Sequence, residues 1–187
     1  MAKQTGNVVT HGLSGKIGDL LVFRQRSGQT IVSKTPTVGN KVTEAQQAHR
    51  RRFQQAVFYG KAAMATPELS EQYGTVAHKK KRTVFNIAVA DFLRAPDIEQ
   101  IDFSAYTGQT GDVIRIRVTD DFAVKSVHVR IANADGSLVE EGAAVPDAAA
   151  YEWTYTATQD NKSLDGDRIT VLASDRPGNL TQEDISM

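Results

Sequence analysis

A chain of 187 residues with 40% hydrophobic and 24% charged side chains has the composition of an ordinary folded protein, long enough for one sizeable core or two small ones. It has no cysteine, which excludes disulfides, thiolate metal sites and cysteine nucleophiles. Charge cancels overall but not locally: residues 1–100 hold 15 Lys and Arg against 7 Asp and Glu, and residues 101–187 hold 7 against 15, so the two parts carry +8 and −8.

Residues 18–35 predict a β-hairpin: Leu21 and Phe23 alternate with Val22 and Arg24, Ser27-Gly28 turns the chain, and Thr30-Ile31-Val32-Ser33 returns before Pro36. Two strands are marginal alone, so this hairpin is expected to cover neighbouring helices or to add to a sheet of another subunit as an assembly arm. Thr43 followed by Gln46 is a capping-box signature for a long helix from Thr43 to about Ala65, with Phe53, Val57, Gly60 and Met64 at helical spacing and Arg50, Arg51 and Arg52 in its middle. Thr66-Pro67 predicts the N-cap and first residue of a second helix running toward Tyr73. After the basic run Lys79-Lys80-Lys81-Arg82, residues 83–93 predict a third helix carrying Phe85, Ala88, Val89 and Phe92 on one face and ending before Ala95-Pro96.

From Ile101 the period changes to two. Ile114, Ile116 and Val118; Val127, Val129 and Ile131; Tyr151, Trp153 and Tyr155; and Ile169, Val171 and Ala173 alternate with mostly polar neighbours. Edge strands near 102–106, 137–141 and 180–185, with turns at Asp120-Asp121, Ala134-Asp135-Gly136 and Arg176-Pro177-Gly178-Asn179, complete the pattern of a β-sandwich. The expected class is therefore α+β: a basic module over residues 1–99, made of a hairpin and about three helices, a junction at 96–100, and an acidic all-β sandwich over 100–187.

Three stretches of the second part, Val118-Thr119-Asp120-Asp121-Phe122-Ala123-Val124 with Val127-His128-Val129, then Trp153-Thr154-Tyr155, then Ala173-Ser174-Asp175-Arg176-Pro177-Gly178-Asn179, resemble bacterial immunoglobulin-like domains. A D-x-x-V-x-x-V step and an A-x-D-x-x-G-N tail carry the likeness over about 100–187. The resemblance implies an immunoglobulin-like sandwich of the kind found in surface adhesins, filaments and phage structural proteins, without catalytic residues. It does not extend to residues 1–99.

Individual motifs yield no catalytic centre. Gly12-Leu13-Ser14-Gly15-Lys16 departs from a phosphate-binding loop at Thr10, where glycine is needed, and at Ile17, where Ser or Thr is needed. His11, His49, His78 and His128 form no metal-ligand or general-base pattern. The runs Arg50-Arg51-Arg52 and Lys79-Lys80-Lys81-Arg82 could contact phosphates, although three consecutive helical residues fan through about 200° and cannot share one groove. Asp120/Asp121, Glu140/Glu141 and Asp165/Asp167, with Asp160 and Asp175, raise the question of Ca²⁺ at the sandwich loops, but Asp160–Asp167 lacks a D-x-D-x-D-G spacing and turn carboxylates are common without a metal. Trp153 and Tyr155 read as core. Arg115, Arg117, His128 and Arg130 are expected to form an outward basic patch if their strands share a sheet.

The reading that unites these features is a non-enzymatic structural subunit, without cofactor, metal or small-molecule substrate. Copies would join head to tail into a filament, ring or virion-like particle. Leu21, Phe23 and Ile31 would supply apolar contact, and Arg50, Arg51, Arg52, Lys79, Lys80, Lys81 and Arg82 would meet Asp120, Asp121, Asp165 and Asp167 of the next copy. The alternative is a nucleic-acid-binding protein using the basic helical part. No apolar run approaches the ~20 residues of a membrane span and no Sec leader is visible, so the expected setting is a virion or extracellular filament, or the cytoplasm on the alternative reading.

Overall fold

The structure, a computed structural model, describes residues 2–4, 10, 12–26, 28–35, 42–148 and 150–187. His11, the Ser27 half of the expected turn and Pro36 lie outside them. The protein is a mixed α and β chain of three helices and three antiparallel sheets among the described residues. Its backbone divides into two compact units, Met1–Gln46 and Gln47–Met187.

The first unit is a sheet of order β1-β4-β3-β2, from β1 (Ala2–Gln4), β2 (Gly15–Ile17), β3 (Leu21–Arg26) and β4 (Gln29–Lys34). The expected hairpin is its centre, and a short strand is added on each side. Register pairs Phe23 with Val32, Leu21 with Lys34 and Ile17 with Leu21, whereas Ile31 pairs with Arg24. Because paired residues share a face and neighbours along a strand alternate, Ile31 lies on the opposite face from Leu21 and Phe23. The three residues expected to make one apolar contact are thus divided between two faces. Gly15-Lys16-Ile17 is a strand and Lys16 pairs with Asp19 at 2.6 Å, so no phosphate-binding turn precedes a helix here.

Helix α1 (Glu44–Ala65) starts on the expected capping box: the Thr43 N–H donates to Gln46 Oε1 and the Gln46 N–H to Thr43 Oγ1, both at 3.2 Å. It buries only small residues, Ala56, Gly60 and Ala63. At Gly60 a Cβ would stand 2.9 Å from Val89 Cγ2 and 3.0 Å from the Phe85 ring, so the glycine is what allows α1 to approach α3 (Val84–Leu93).

Helix α2 (Pro67–Lys80) has Pro at its first position, but Thr66 makes no side-chain cap; its hydroxyl donates instead to the Ala62 carbonyl. The helix runs well past Tyr73, because Tyr73 and Ala77, four apart, both point into the core and outweigh the weak propensities of Gly74 and Thr75. It stops at Lys81, whose left-handed backbone (φ 51°) directs the Arg82 N–H to the Ala77 carbonyl. Thr83 caps α3 by accepting from the Asn86 N–H at 3.2 Å.

Strand β5 (Asp97–Asp102) occupies the expected junction, and residues 103–106 form a turn rather than the strand expected near 102–106. A bulge between Ile98 and Gln100 lets Ile98 and Ile101, three apart, both point inward, which conceals the period of two. The remaining strands are β6 (Val113–Thr119), β7 (Val124–Ala132), β8 (Leu138–Ala143), β9 (Val145–Pro146), β10 (Glu152–Thr156), β11 (Arg168–Asp175) and β12 (Leu180–Ser186). They form two sheets, β5-β6-β10-β9 and β12-β11-β7-β8, whose inward residues make one core that includes Ile114, Ile116, Val129, Trp153, Ile169 and Val171.

The compact division at residues 46 and 47 places α2 and α3 with these two sheets rather than with the N-terminal one. Several contacts bind them. Tyr73 stacks on Phe122 with ring centroids 4.2 Å apart, Arg94 pairs with Asp121 at 2.5 Å, and the Asn179 side-chain amide donates to the carbonyls of Asp91, Phe92 and Arg94.

Asp112 organises the loop before β6. Its Oδ2 accepts from the Thr107 N–H and hydroxyl and from the Gln109 N–H, with the Gln109 and Thr107 backbone donors the main causes that hold its carboxyl below the usual carboxylate range. A depressed folded-state pKa stabilises above the unfolded value near 4 and is lost as pH falls through the folded one. Asp112→Asn is therefore expected to weaken the fold at neutral pH and to flatten the acid-side loss of stability below about pH 4, as read from urea midpoints at neutral and acid pH.

Candidate functional site

The residues singled out in the sequence occupy different environments. Phe23 is only 8% exposed and belongs to the interior of the N-terminal sheet, whereas Ile17 and Leu20, which the pattern did not single out, are 57% and 75% exposed. Leu21 is partly open and Ile31 half-buried. Arg50, Arg51 and Arg52 are exposed on α1, with the Arg52 guanidinium donating to the Leu93 carbonyl at 3.3 Å. Lys79, Lys80, Lys81 and Arg82 are exposed at the C-terminal end of α2, where the helix dipole favours cations.

On the acidic side, Asp165 is exposed and Asp167 is 1% exposed, its Oδ2 accepting from the Asn161 amide at 2.7 Å. Asp167 is thus an interior group of the loop before β11, outside any accessible surface. Asp121 is half-buried and already engaged within the molecule: Lys80 donates to its carbonyl and Arg94 to its carboxylate. The expected basic patch on the sheets does not form. Arg115 and Arg117 lie on β6 and His128 and Arg130 on β7, in different sheets, so they face opposite sides. Arg117 instead lies over the Tyr151 ring, 5.3 Å from its centroid. Trp153 is buried, which removes it as an exposed stacking platform.

The main chemical concentration lies where α3 meets two turns. Asp91 on α3, Asp120 between β6 and β7, and Asp175 at the end of β11 each bring one carboxylate oxygen within 4.8 Å of the others. Asp175 is held by its turn, its Oδ1 accepting from the N–H groups of Gly178 and Asn179 and its Oδ2 from the Asn179 amide. Asp120 Oδ2 accepts from the N–H groups of Phe122 and Ala123. Asp91 Oδ2 accepts from the Tyr73 hydroxyl at 2.5 Å, and Tyr73 in turn bonds Tyr59 at 2.8 Å. Burial first, then the Asp120 and Asp175 charges, push the Asp91 carboxyl up to about 7 against the lowering bond from Tyr73; burial likewise raises Asp175.

A cleft of about 350 Å³ opens beside this cluster, lined by Lys80, Arg82, Ile87, Ala90, Asp91, Arg94, Asp121 and Phe122. It brings two residues of the basic run, Lys80 and Arg82, to the acidic Asp121 within one molecule.

Sequence reasoning missed Asp91, although the one charged residue in the mostly apolar segment Val84–Leu93 is a visible signal. It also missed Tyr73 as a polar partner, because only the fold brings α2 beside α3.

No protein-family model and no curated protein matches the chain. Among solved structures it is similar to an engineered protein from a structural genomics consortium, at 20% identity and a TM-score of 0.34. That similarity covers 49% of this chain and 20% of the other, so this chain spans about a fifth of that neighbour. Among the described residues, no helix is long and apolar enough to cross a membrane.

Proposed function

We propose that the chain is a non-enzymatic structural subunit whose copies associate head to tail, with an immunoglobulin-like sandwich over residues 97–187. The strand orders β5-β6-β10-β9 and β12-β11-β7-β8 support the immunoglobulin-like reading. They correspond to a four-stranded sheet packed on a three-stranded one that an edge strand extends to four. The A-x-D-x-x-G-N tail has a physical role in keeping with this reading, since Asp175 caps the turn through the Gly178 and Asn179 N–H groups.

The observation that carries the assembly reading is the N-terminal sheet. Among its described side chains only Phe23 and Thr30 are buried, while Leu13, Ile17, Leu20 and Leu21 are open to solvent. A sheet of this size gains little stability until its apolar face is covered. A second copy is the occupant we propose, because charge is left unmatched for it. Among the described residues three ion pairs form, and of these only Arg94–Asp121 joins the basic stretch to the acidic one. Exposed Arg50, Arg51, Lys79, Lys81 and Arg82 therefore remain to face an acidic neighbour such as the surface bearing Asp165. A virion component or surface filament is the setting proposed by the family resemblance.

The same exposed cations support the second reading, nucleic-acid binding. Sedimentation of nuclease-treated protein over a range of concentrations at low salt separates the two. Growth in size with concentration is expected. A monomer at every concentration overturns assembly, and tight binding of duplex DNA by that monomer would establish the alternative.

A further inference from the structure

We propose that Asp91, Asp120 and Asp175 bind a divalent cation, Ca²⁺ by its chemistry, which ties the C-terminal end of α3 to the β6–β7 and β11–β12 turns. The three carboxylates come from three separate segments, yet one oxygen of each lies within 4.8 Å of the others. Clustering is not the only observation. Asp91 is 1% exposed, and while its Oδ2 is committed to Tyr73, its Oδ1 is buried without a hydrogen-bond partner among the described residues. Asp120 repeats the pattern, with Oδ2 holding two N–H groups and a buried Oδ1 holding none. A buried carboxylate oxygen left without donor or counter-charge is costly, and two beside a third carboxylate are more so.

Among the described residues none of the three aspartates makes an ion pair: Lys80 and Arg94 are engaged by Asp121, and Arg176, whose charge acts on Asp91, forms no ion pair with it. The donor set is all oxygen, which suits hard cations and disfavours zinc or copper. Ca²⁺ takes about six to eight oxygens in a flexible geometry and so tolerates carboxylates delivered by three separate segments, whereas Mg²⁺ demands a near-ideal octahedron. Asp175 can add a metal bond to its existing hydrogen bonds, since an ionised carboxylate has about four lone-pair sites. Water entering by the cleft beside Asp91 would complete the shell. Binding would stabilise the join independently of whether copies associate.

The test uses the full chain, stripped with chelator and titrated at neutral pH with CaCl2 or MgCl2 by calorimetry and thermal unfolding. One Ca²⁺ per chain and a saturable upward shift of several degrees in Tm are expected, with a clearly weaker response to Mg²⁺. Asp120→Asn keeps an oxygen for the Phe122 and Ala123 N–H groups and should weaken Ca²⁺ binding at least tenfold, while Asp165→Asn, outside the cluster, should bind as the parent does. Absence of saturable Ca²⁺ binding by the parent chain overturns the site even if Asp120→Asn fails to fold. Undiminished binding by folded Asp120→Asn overturns it too, and equal response to Mg²⁺ overturns the assignment to Ca²⁺.

Discussion

Replacing Ile17 and Leu20 together by aspartate is expected to abolish the proposed concentration-dependent association while leaving the far-UV spectrum and the unfolding midpoint of the C-terminal sheets unchanged. Both side chains are open to solvent, so the isolated chain loses little packing when they change. In an interface each is worth about 1.5–3 kcal/mol of buried apolar surface, and a carboxylate forced into the same place adds a desolvation cost of several kcal/mol. Together these weaken association more than about a hundredfold, since 1.4 kcal/mol is a factor of about ten. Phe23→Asp is the wrong probe. Phe23 is part of the sheet interior, so its replacement disrupts the sheet itself, and loss of association would not distinguish contact from unfolding. Sedimentation of Ile17→Asp/Leu20→Asp at the concentration where the parent chain associates gives the answer; oligomers of parental size would show that this face is not the contact.

Asn179→Ala lowers the unfolding free energy by about 2–3 kcal/mol, the order expected when several partly buried acceptors lose their donor. The two N–H bonds of one amide are shared among the carbonyls of Asp91, Phe92 and Arg94 at 3.3, 3.2 and 2.9 Å and Asp175 Oδ2 at 2.6 Å. It is thus the polar fastening between the end of α3 and the turn after β11. Asn179→Asp keeps the shape but offers acceptors to carbonyl oxygens and to Asp175, so it destabilises more than the alanine does. Urea unfolding of the two variants beside the parent chain reads both effects. An aspartate variant as stable as the alanine variant would show that donation by the amide is not what holds the join.

Local signals are legible in the sequence wherever a single residue or a short period suffices. The capping box of α1 and the alternation of β6, β7, β10 and β11 follow from side-chain chemistry within a few positions. They fail where the partner is distant. The bulge in β5 breaks its alternation, so the strand reads as a junction, and α2 runs on past Tyr73 because of burial that no window of its own residues reveals. The division of charge was visible at once, but not that Asp167 would be buried or that Asp121 would meet Lys80 and Arg94 in its own molecule.

By itself the sequence determined the α+β class, the three helices, the inward faces of most strands and the opposite signs of the two charge-bearing stretches, because each depends on spacing or composition along the chain. Only the tertiary structure decided that Leu21 and Ile31 lie on opposite faces, that Arg117 and His128 lie in different sheets, and that Asp91, Asp120 and Asp175 meet. Those relations depend on register and on which strand crosses to which sheet, and both are fixed by burial summed over segments far apart in sequence.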